Sequence, residues 1–302
     1  MTPTTSDAGQ PDGDERSNLH VRNARRLGPD DIVMATQPGS GATLLGNIML
    51  ELDIDVMDPF GVVIETDGSV RANEDVLTKR ERISAVAAKE RSLRSGSAAG
   101  NPDVRFFKNF LPPESYAPGA TRGAVVLVRD PRDAMYSKYR FLRDFGNWIP
   151  GRDDIEEQGS FAEFLDGRGA GPEPPPIENW TAFYGAWAEA ADRFERFTVL
   201  RFEDLKADTF GAVCELLDLF QVKVPPDEIA AAVERSSFDA MRKHEDAHSA
   251  ATGDAVDARI MRRGKVREWE EWFGDPELAE RFRNAELIAT AARLGYSLFS
   301  DA

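Results

Sequence analysis

The apolar residues of this 302-residue chain follow two patterns, short continuous runs and helical stripes. Continuous runs bounded by turn-forming residues predict buried strands, and they lie at residues 31–35, 123–129 and 197–202. Apolar stripes at helical spacing predict helices at residues 44–52, 210–220 and 278–285. This alternation indicates an α/β fold, in which a mostly parallel sheet is flanked by helices and binds its ligand at the carboxyl edge of the strands.

The remaining segments are polar. Residues 1–28 are rich in Pro, Gly, Ser, Asp and Arg without apolar periodicity, which predicts a disordered N-terminal tail before a single domain at 29–302. Dense charge at 71–94 predicts a solvated helix. The Pro- and Gly-rich stretch 167–179 predicts an exposed loop.

The composition is strongly acidic, with 53 Asp and Glu against 37 Lys and Arg and a net charge of -16. We therefore expect no general affinity for nucleic acid or for an anionic membrane surface, and an anionic ligand must meet a local cluster of cations. The single cysteine, Cys214, excludes an internal disulfide, and no apolar run is long enough to cross a bilayer, so we expect a soluble, cytoplasmic protein. Three dispersed His residues give no metal-ligand spacing, and we expect no metal site.

The stretch TQPGSGATLLGNIM, residues 36–49, places a glycine-rich turn between a predicted strand and a predicted helix. Such a turn exposes backbone N–H groups and the positive end of the helix dipole, so it binds phosphate or sulfate, and Ser40 and Thr43 add hydroxyl donors. The turn lacks the Lys of a nucleoside-triphosphate loop, which argues against kinase or triphosphatase chemistry. A tight turn without a ligand is the alternative.

Two basic segments follow, VLVRDPRDAMYSKYRF at 126–141 and IMRRGKVREWEEWF at 260–273. Arg129 at a strand end and the pair Arg262 and Arg263 in a Gly-containing loop could converge on one phosphate, which planar guanidinium groups bind bidentately. A solvated turn and a surface basic run remain the alternative interpretation of these segments.

The two basic segments and three further segments resemble motifs of the cytosolic-type, bacterial PAPS-dependent sulfotransferases and follow the same order along the chain as in that family. The resemblance covers about residues 30–300. The further segments are KNFLPPE at 108–114, NWTAFYGAW at 179–187 and RFEDLKAD at 201–208. The resemblance implies a P-loop-like sulfotransferase fold and the donor PAPS (3′-phosphoadenosine 5′-phosphosulfate), which leaves as PAP. It also implies transfer of a sulfuryl group to a hydroxyl or amine of a small-molecule acceptor, such as a secondary metabolite.

The resemblance also implies which residues bind the donor. Arg129 and Ser137 hold the 3′-phosphate, and Arg262, Arg263 and Gly264, followed by Trp269, clamp the same group. The other implied donor-binding residues are Gly39, Ser40, Gly41, Ala42, Thr43 and Leu44 of the turn, Ser236, and Phe202, which offers an aromatic face to adenine. Leu44 replaces a stacking Trp of the family, which removes roughly 1–3 kcal/mol of base stacking.

Two catalytic positions of the family are changed in this chain. Gly39 stands in place of the Lys that reaches the bridging oxygen, and Phe110 stands in place of the His that acts as base. We expect substitutes at Lys108, at His248 beside His244 in a segment that corresponds to a loop over the acceptor, or at Glu114. For each, a solvent-facing residue without a role is the alternative.

Three functions therefore stay open: a sulfotransferase, a catalytically degenerate relative that only binds nucleotide, and a non-sulfuryl reaction on the same scaffold. The acceptor pocket would be lined by variable loops at 56–70, 143–158 and 245–258, so the sequence does not indicate which acceptor is used. It does not indicate the oligomeric state either.

Overall fold

The computed structural model describes residues 14–59, 61–72, 104–145, 159–168, 174–252 and 259–299. Its centre is a five-stranded sheet in the order β2-β5-β1-β6-β7, in which every pair of neighbours is parallel. The strands are β1 (Asp31–Thr36), β2 (Asp55–Met57), β5 (Arg105–Asn109), β6 (Gly123–Val128) and β7 (Phe197–Arg201). A separate antiparallel pair consists of β3 (Val62–Ile64) and β4 (Val70–Ala72). The predicted α/β class is confirmed.

Helices pack on both faces of this sheet, and each face has its own apolar cluster of buried side chains. The helices among the described residues are α1 (Asp14–Ala24), α2 (Ala42–Glu51), α3 (Pro131–Phe145), α4 (Phe161–Leu165), α5 (Pro176–Ala188), α6 (Phe202–Ala207), α7 (Thr209–Leu219), α8 (Pro226–Arg235), α9 (Phe238–Thr252), α10 (Pro276–Arg281) and α11 (Ala285–Arg293). No helix in these ranges is long and apolar enough to cross a membrane.

The three predicted strands are present. Their continuous apolar runs are typical of parallel strands that are covered on both faces of the sheet. Every residue of β1 and β6 is buried. Strand β7 lies at the edge of the sheet, and Val199 in its middle is 36% exposed. The remaining strands, β2 to β5, were not predicted as strands, and the expected loop at 56–70 contains β3 and parts of β2 and β4.

The N-terminal segment differs from the predicted disordered tail, because residues 14–24 form helix α1. Tertiary contacts explain the difference: Ala24 and Leu27 are buried, and the Asn23 side chain donates to the carbonyls of Pro59 and Val62 at 3.1 and 2.8 Å. Its oxygen also accepts from the N–H of Ile64 at 3.0 Å. One buried amide thus ties α1 to strand β3.

Two expected loops are also shorter than predicted. Helix α9 continues to Thr252, so the part of 245–258 that the structure describes before the gap is helical. The loop predicted at 167–179 ends at Pro176, because proline is favoured in the first turn of a helix. Most of the predicted helix at 71–94, and most of the predicted loop at 143–158, lie outside the described residues.

Candidate functional site

The glycine-rich turn follows β1 at the carboxyl edge of the sheet and opens helix α2. Gly39 and Gly41 both have positive φ angles, 91° and 97°, and Gly41 is the N-cap of α2 without a side-chain capping bond. The first N–H groups of a helix have no partner within it. The turn therefore presents backbone donors and the positive end of a helix dipole, which suits an anion.

Both glycines are required by close neighbours as well as by their φ angles. A Cβ atom on Gly39 would lie 2.6 Å from the carbonyl oxygen of Ala134 and 3.1 Å from Cβ of Ser137. A Cβ atom on Gly41 would lie 2.4 Å from the ring of Phe202. The turn is thus enclosed by helix α3 on one side and by Phe202 on the other.

A buried tyrosine, Tyr184, holds the turn in place through hydrogen bonds. The Tyr184 hydroxyl donates to the Leu127 carbonyl at 2.9 Å, accepts from the N–H of Gln37 at 3.0 Å and lies 2.9 Å from the Ser40 hydroxyl. Burial raises the pKa of Tyr184 to about 12, so its proton stays in this network. The Ser40 hydroxyl is fully buried and engaged with Tyr184, which leaves the backbone and the exposed Thr43 to face a ligand.

Arg129 connects the turn to the late basic segment. Its guanidinium donates to the carbonyl oxygens of Gly39 and Lys265, at 3.1 and 2.7 Å, and to the Asp133 carboxylate at 3.2 Å. It also lies 4.7 Å from the centroid of the Phe202 ring. The side chain is 7% exposed, and its buried Nε has no hydrogen-bond partner in the described structure. Such a donor is suited to an anionic ligand.

The late basic segment lies against helix α3. Asp133 accepts from the N–H of Trp269 at 2.8 Å, and burial raises the pKa of this carboxyl even though Arg129 opposes the shift. The guanidinium carbon of Arg262 lies 5.6 Å from the centroid of the Tyr136 ring, and Tyr136 immediately precedes Ser137 in helix α3. Arg129 and Arg262 thus both contact helix α3, at Asp133 and Tyr136 respectively.

The guanidinium groups of the late segment are paired with carboxylates. Both terminal nitrogens of Arg262 donate to the buried Glu268, and Arg263 donates to Glu271 at 2.6 Å. Lys265 also contacts Glu271, at 3.3 Å. A ligand phosphate would therefore bind these arginines beside carboxylates.

Of the other donor-binding candidates, Ala42 and Leu44 are partly buried at the start of α2. Gly264 has a φ of 60°, and a Cβ atom there would lie 2.5 Å from the Phe238 ring. Ser236 is fully buried, and its hydroxyl accepts from Asn47 of α2 at 2.9 Å. The Ser236 side chain is thus engaged within the protein.

The candidate catalytic residues are spread over three places. Lys108 lies in β5 beside β1, with its ammonium 3.8 Å from the Asp58 carboxylate and 4.9 Å from the centroid of the Phe110 ring. Glu114 is exposed in a single-turn helix, Pro113–Ser115. His248 is partly buried in α9, and its ring centroid is 6.4 Å from that of His244. Of the three, only Lys108 lies on a strand next to the one that leads into the turn.

Sequence reasoning did not single out four residues whose contacts lie in this region: His20, Asp133, Tyr184 and Glu268. Asp133 and Glu268 stand inside the two basic segments, so their alternation with arginine was a usable signal. Tyr184 and His20 carry no local signal, because their partners are distant in the chain.

Comparisons with known proteins show which family this chain is similar to. The family model "Sulfotransferase domain" matches residues 29–286. Sulfotransferase 2A1 of Rattus norvegicus is 28% identical over 163 residues, which make up 49% of this chain and 50% of that protein. Sulfotransferase 2A6 of Mus musculus is 24% identical over 84% of this chain and 82% of its own length. The chain thus spans about half the length of the first relative and most of the second.

Solved structures share the fold. A retinol dehydratase in a complex with retinol and PAP has a TM-score of 0.57 at 18% identity, over 95% of this chain and 88% of that one. Mouse sulfotransferase SULT7A1 complexed with PAP has a TM-score of 0.52 at 17% identity, over 92% and 93% of the two chains. Because the family match alone covers most of the sequence, the chain belongs to the sulfotransferase domain family.

Proposed function

We propose that this protein moves the sulfuryl group of PAPS to a hydroxyl or amine of a small-molecule acceptor. The observation that carries the proposal is the position of Arg129, which donates to the carbonyls of both Gly39 and Lys265. The glycine turn and the late basic segment therefore meet at one guanidinium group, and a donor with two separate anionic groups needs two adjacent anion sites. Sulfotransferase relatives and PAP-bound structures of the same fold support this choice of donor.

The residues present fit the two anionic ends of the donor. The N–H groups of the turn would hold the phosphosulfate end, which supplies the sulfuryl group for transfer. Arg129, Ser137 and Arg262 would hold the ribose phosphate. The guanidinium of Arg262 carries further N–H donors beyond the two that Glu268 accepts, so phosphate and carboxylate can bind it together.

The acceptor would approach beside the turn. A cavity that has room for about one water molecule lies next to Gln37 and Pro38, and Met135, Lys138 and Trp180 line it. We assign this side to a small organic acceptor such as a secondary metabolite. We place the reaction in the cytoplasm, in keeping with the free thiol of Cys214.

Because position 39 is glycine, a lysine elsewhere in the chain must stabilise the charge that develops on the transferring group. We propose Lys108, because β5 pairs in parallel with β1 and Lys108 stands opposite Met34, two residues before β1 ends. Glu114 and His248 stay candidates for proton transfer, although the contacts described above give neither a link to the turn.

Donor binding is the first test, by calorimetric titration with PAP. Arg129→Lys keeps the charge but loses the planar fork, so we expect at least about a 10-fold loss of affinity, the usual scale for charged hydrogen bonds. Arg293→Lys is the matched control, because it makes the same substitution at an exposed arginine that pairs with Glu189. Unchanged affinity in Arg129→Lys would contradict the proposed site.

Arg262 needs a double variant for the same titration. Arg262→Ala alone leaves Glu268 buried without its main partner, which destabilises the fold and obscures any binding effect. In Arg262→Gln combined with Glu268→Gln, both charges are removed together. We expect weaker PAP binding with near-normal stability.

Transfer itself is tested with labelled PAPS and a panel of phenols, alcohols and amines, by detecting both PAP and a sulfated product. A binding protein without transfer is the second candidate, favoured by Gly39, whose surroundings leave no room for the family lysine. Tight PAP binding without turnover on any acceptor would establish that alternative. If ATP, coenzyme A or sulfate stabilises the protein against heat more than PAP does, the scaffold serves another reaction.

A further inference from the structure

Helix α1 brings an imidazole to the end of strand β5, where Phe110 offers no ionisable group. The ring centroids of His20 and Phe110 are 6.0 Å apart, in an edge-to-face arrangement with an interplanar angle of 82°. His20 is 4% exposed and also contacts Phe107 of β5, with centroids 5.9 Å apart. The imidazole therefore lies in the interior, next to the first residues after β5.

The pairing of β5 with β1 brings Phe110 close to the start of the glycine turn. Strand β5 runs parallel to β1, with Lys108 opposite Met34 and Asn109 opposite Ala35. Phe110 therefore leaves the sheet beside the point where β1 enters the glycine turn. Ligands of parallel α/β sheets bind at this edge, so a group held against Phe110 lies on the ligand side of the sheet.

The surroundings hold the imidazole in its basic, neutral form. Burial lowers the pKa of His20 to about 4, and the charge of Lys108 acts in the same direction. The carboxylate of Asp58 and a hydrogen bond with the Asn109 side chain oppose the shift. Asn109 is itself fully buried and fixed by bonds with Leu111 at 2.9 and 2.7 Å, so it can orient the ring.

The helix that carries His20 is itself held in place. Asn23, one turn later in α1, makes three hydrogen bonds to Pro59, Val62 and Ile64. Arg26 donates to the Ile64 carbonyl. A catalytic side chain must be positioned by rigid neighbours, and α1 meets that requirement.

We infer that His20 is the general base of the transfer reaction, supplied by the N-terminal helix. This inference rests on the proposed sulfuryl transfer. As a lone pair of the acceptor oxygen forms the new S–O bond, the hydroxyl proton passes to a ring nitrogen of His20. The bond from sulfur to the bridging phosphate oxygen breaks, its electron pair leaves with PAP, and the imidazolium later loses its proton to water.

The basicity of this imidazole bears on which acceptors to test first. A buried imidazole with a lowered pKa is a weak base, and a weak base suits a hydroxyl that is itself acidic. The negative charge of a bound donor would raise the basicity of the ring. Phenols are therefore the first acceptors with which to test the inference.

The test compares the three histidines of the chain by the same substitution, His→Gln, at positions 20, 244 and 248. We expect His20→Gln to lower kcat on phenols about 100-fold, at the lower end of the usual effect of general base catalysis. PAP affinity and the unfolding temperature at pH 7.5 should stay close to those of the wild type. His244→Gln is the matched control and should keep full activity.

Two further readouts separate catalysis from a structural role. In a series of phenols of graded acidity, the rate of His20→Gln should depend more steeply on phenol acidity, because the acceptor must then lose its proton unaided. The double variant His20→Gln with Phe110→His should recover at least 10-fold of the lost rate, because it returns an imidazole to the adjacent position.

The inference is wrong if His20→Gln transfers within about 3-fold of the wild type, or if the loss of rate follows His248→Gln instead. It is also wrong if His20→Gln loses PAP affinity and thermal stability along with rate, and Phe110→His restores none of it. If the wild type itself transfers to no acceptor while binding PAP, the proposed function fails, and the base assignment fails with it.

Discussion

At the scale of single residues, Gly39 shows that the backbone itself can exclude a side chain, here the lysine of the family. The sequence showed that the turn lacks lysine. The structure adds that residue 39 has a φ of 91° and lies against the Ala134 carbonyl. The turn is therefore built around glycine, and lysine cannot be introduced without moving the backbone of α3 or of the turn.

This leads to a stability prediction for Gly39→Ala and Gly39→Lys. A positive φ costs a non-glycine residue about 1–2 kcal/mol, and the contact with Ala134 adds to that cost. Gly68→Ala is the control, since Gly68 has a φ of 82° and a Cβ atom added there would meet no atom within 4 Å. In urea unfolding, both Gly39 variants should lose more stability than Gly68→Ala. Equal losses would show that the contact with α3 is unimportant.

His20 gives a pH-dependent prediction. Its pKa is about 4 in the folded protein and 6.5 in a free side chain, so the unfolded chain binds the extra proton between these values. Stability from this group is full above pH 6.5 and is lost as the pH falls towards 4, by up to about 3 kcal/mol.

The measurement is the free energy of unfolding from pH 7.5 to 4.5 in the wild type and in His20→Gln, which does not titrate. The wild type should lose more stability on acidification, and the difference between the two proteins should appear below pH 6.5. Parallel curves would contradict a buried, neutral His20.

At the scale of elements, helix α5 supports the site through one hydroxyl group. Tyr184 bonds to Gln37 and Ser40 at the turn and to Leu127 in β6, so it connects two neighbouring strands beneath the anion site. The sequence placed this residue on a helix but gave no sign of its partners.

We expect Tyr184→Phe to lower the free energy of unfolding by about 1–3 kcal/mol, because buried polar groups of the turn and of β6 lose their partner. PAP affinity should fall as well, since the turn is less well held. Tyr139→Phe is a suitable control, because Tyr139 is also buried but bonds to the Gly159 carbonyl. Titration with PAP should show no change for that control.

The elements that sequence reasoning found and missed differ in how they are stabilised. Strands β1 and β6 are apolar throughout, so their own residues indicate burial on both faces. Strand β5 reads RFFKN and β2 has three residues, which are too mixed or too short for a periodic signal. Helix α1 is polar and depends on Asn23 and its distant partners. In the site, the turn and the arginine segments were visible as motifs, whereas the pairings of Tyr184 and His20 arise only on folding.

At the scale of the whole molecule, a chain with a net charge of -16 must bind an anionic donor at a local site. Many of its arginines form ion pairs, including Arg262 with Glu268 and Arg263 with Glu271. Arg129 is buried and also donates to the carbonyl oxygens of Gly39 and Lys265, so its guanidinium group connects two segments of the backbone.

Because PAP would bind these joined segments in the folded state alone, it should raise the unfolding temperature in a concentration-dependent way. At 100 times the dissociation constant the stabilisation is about 2.7 kcal/mol. Differential scanning calorimetry checks this, with Arg129→Lys expected to need more PAP for the same shift. A shift of equal size with inorganic sulfate at the same concentration would argue against a nucleotide site.

The position of helix α1 has a practical consequence for anyone who trims this protein. The family match begins at residue 29, after the helix has ended, so that boundary invites a shortened chain. Such a chain would lack the Asn23 amide that fastens the β3 strand, together with the imidazole beside Phe110. It would retain every residue that matches the family model. On our proposal it would still be inactive, because the general base lies outside the matched residues.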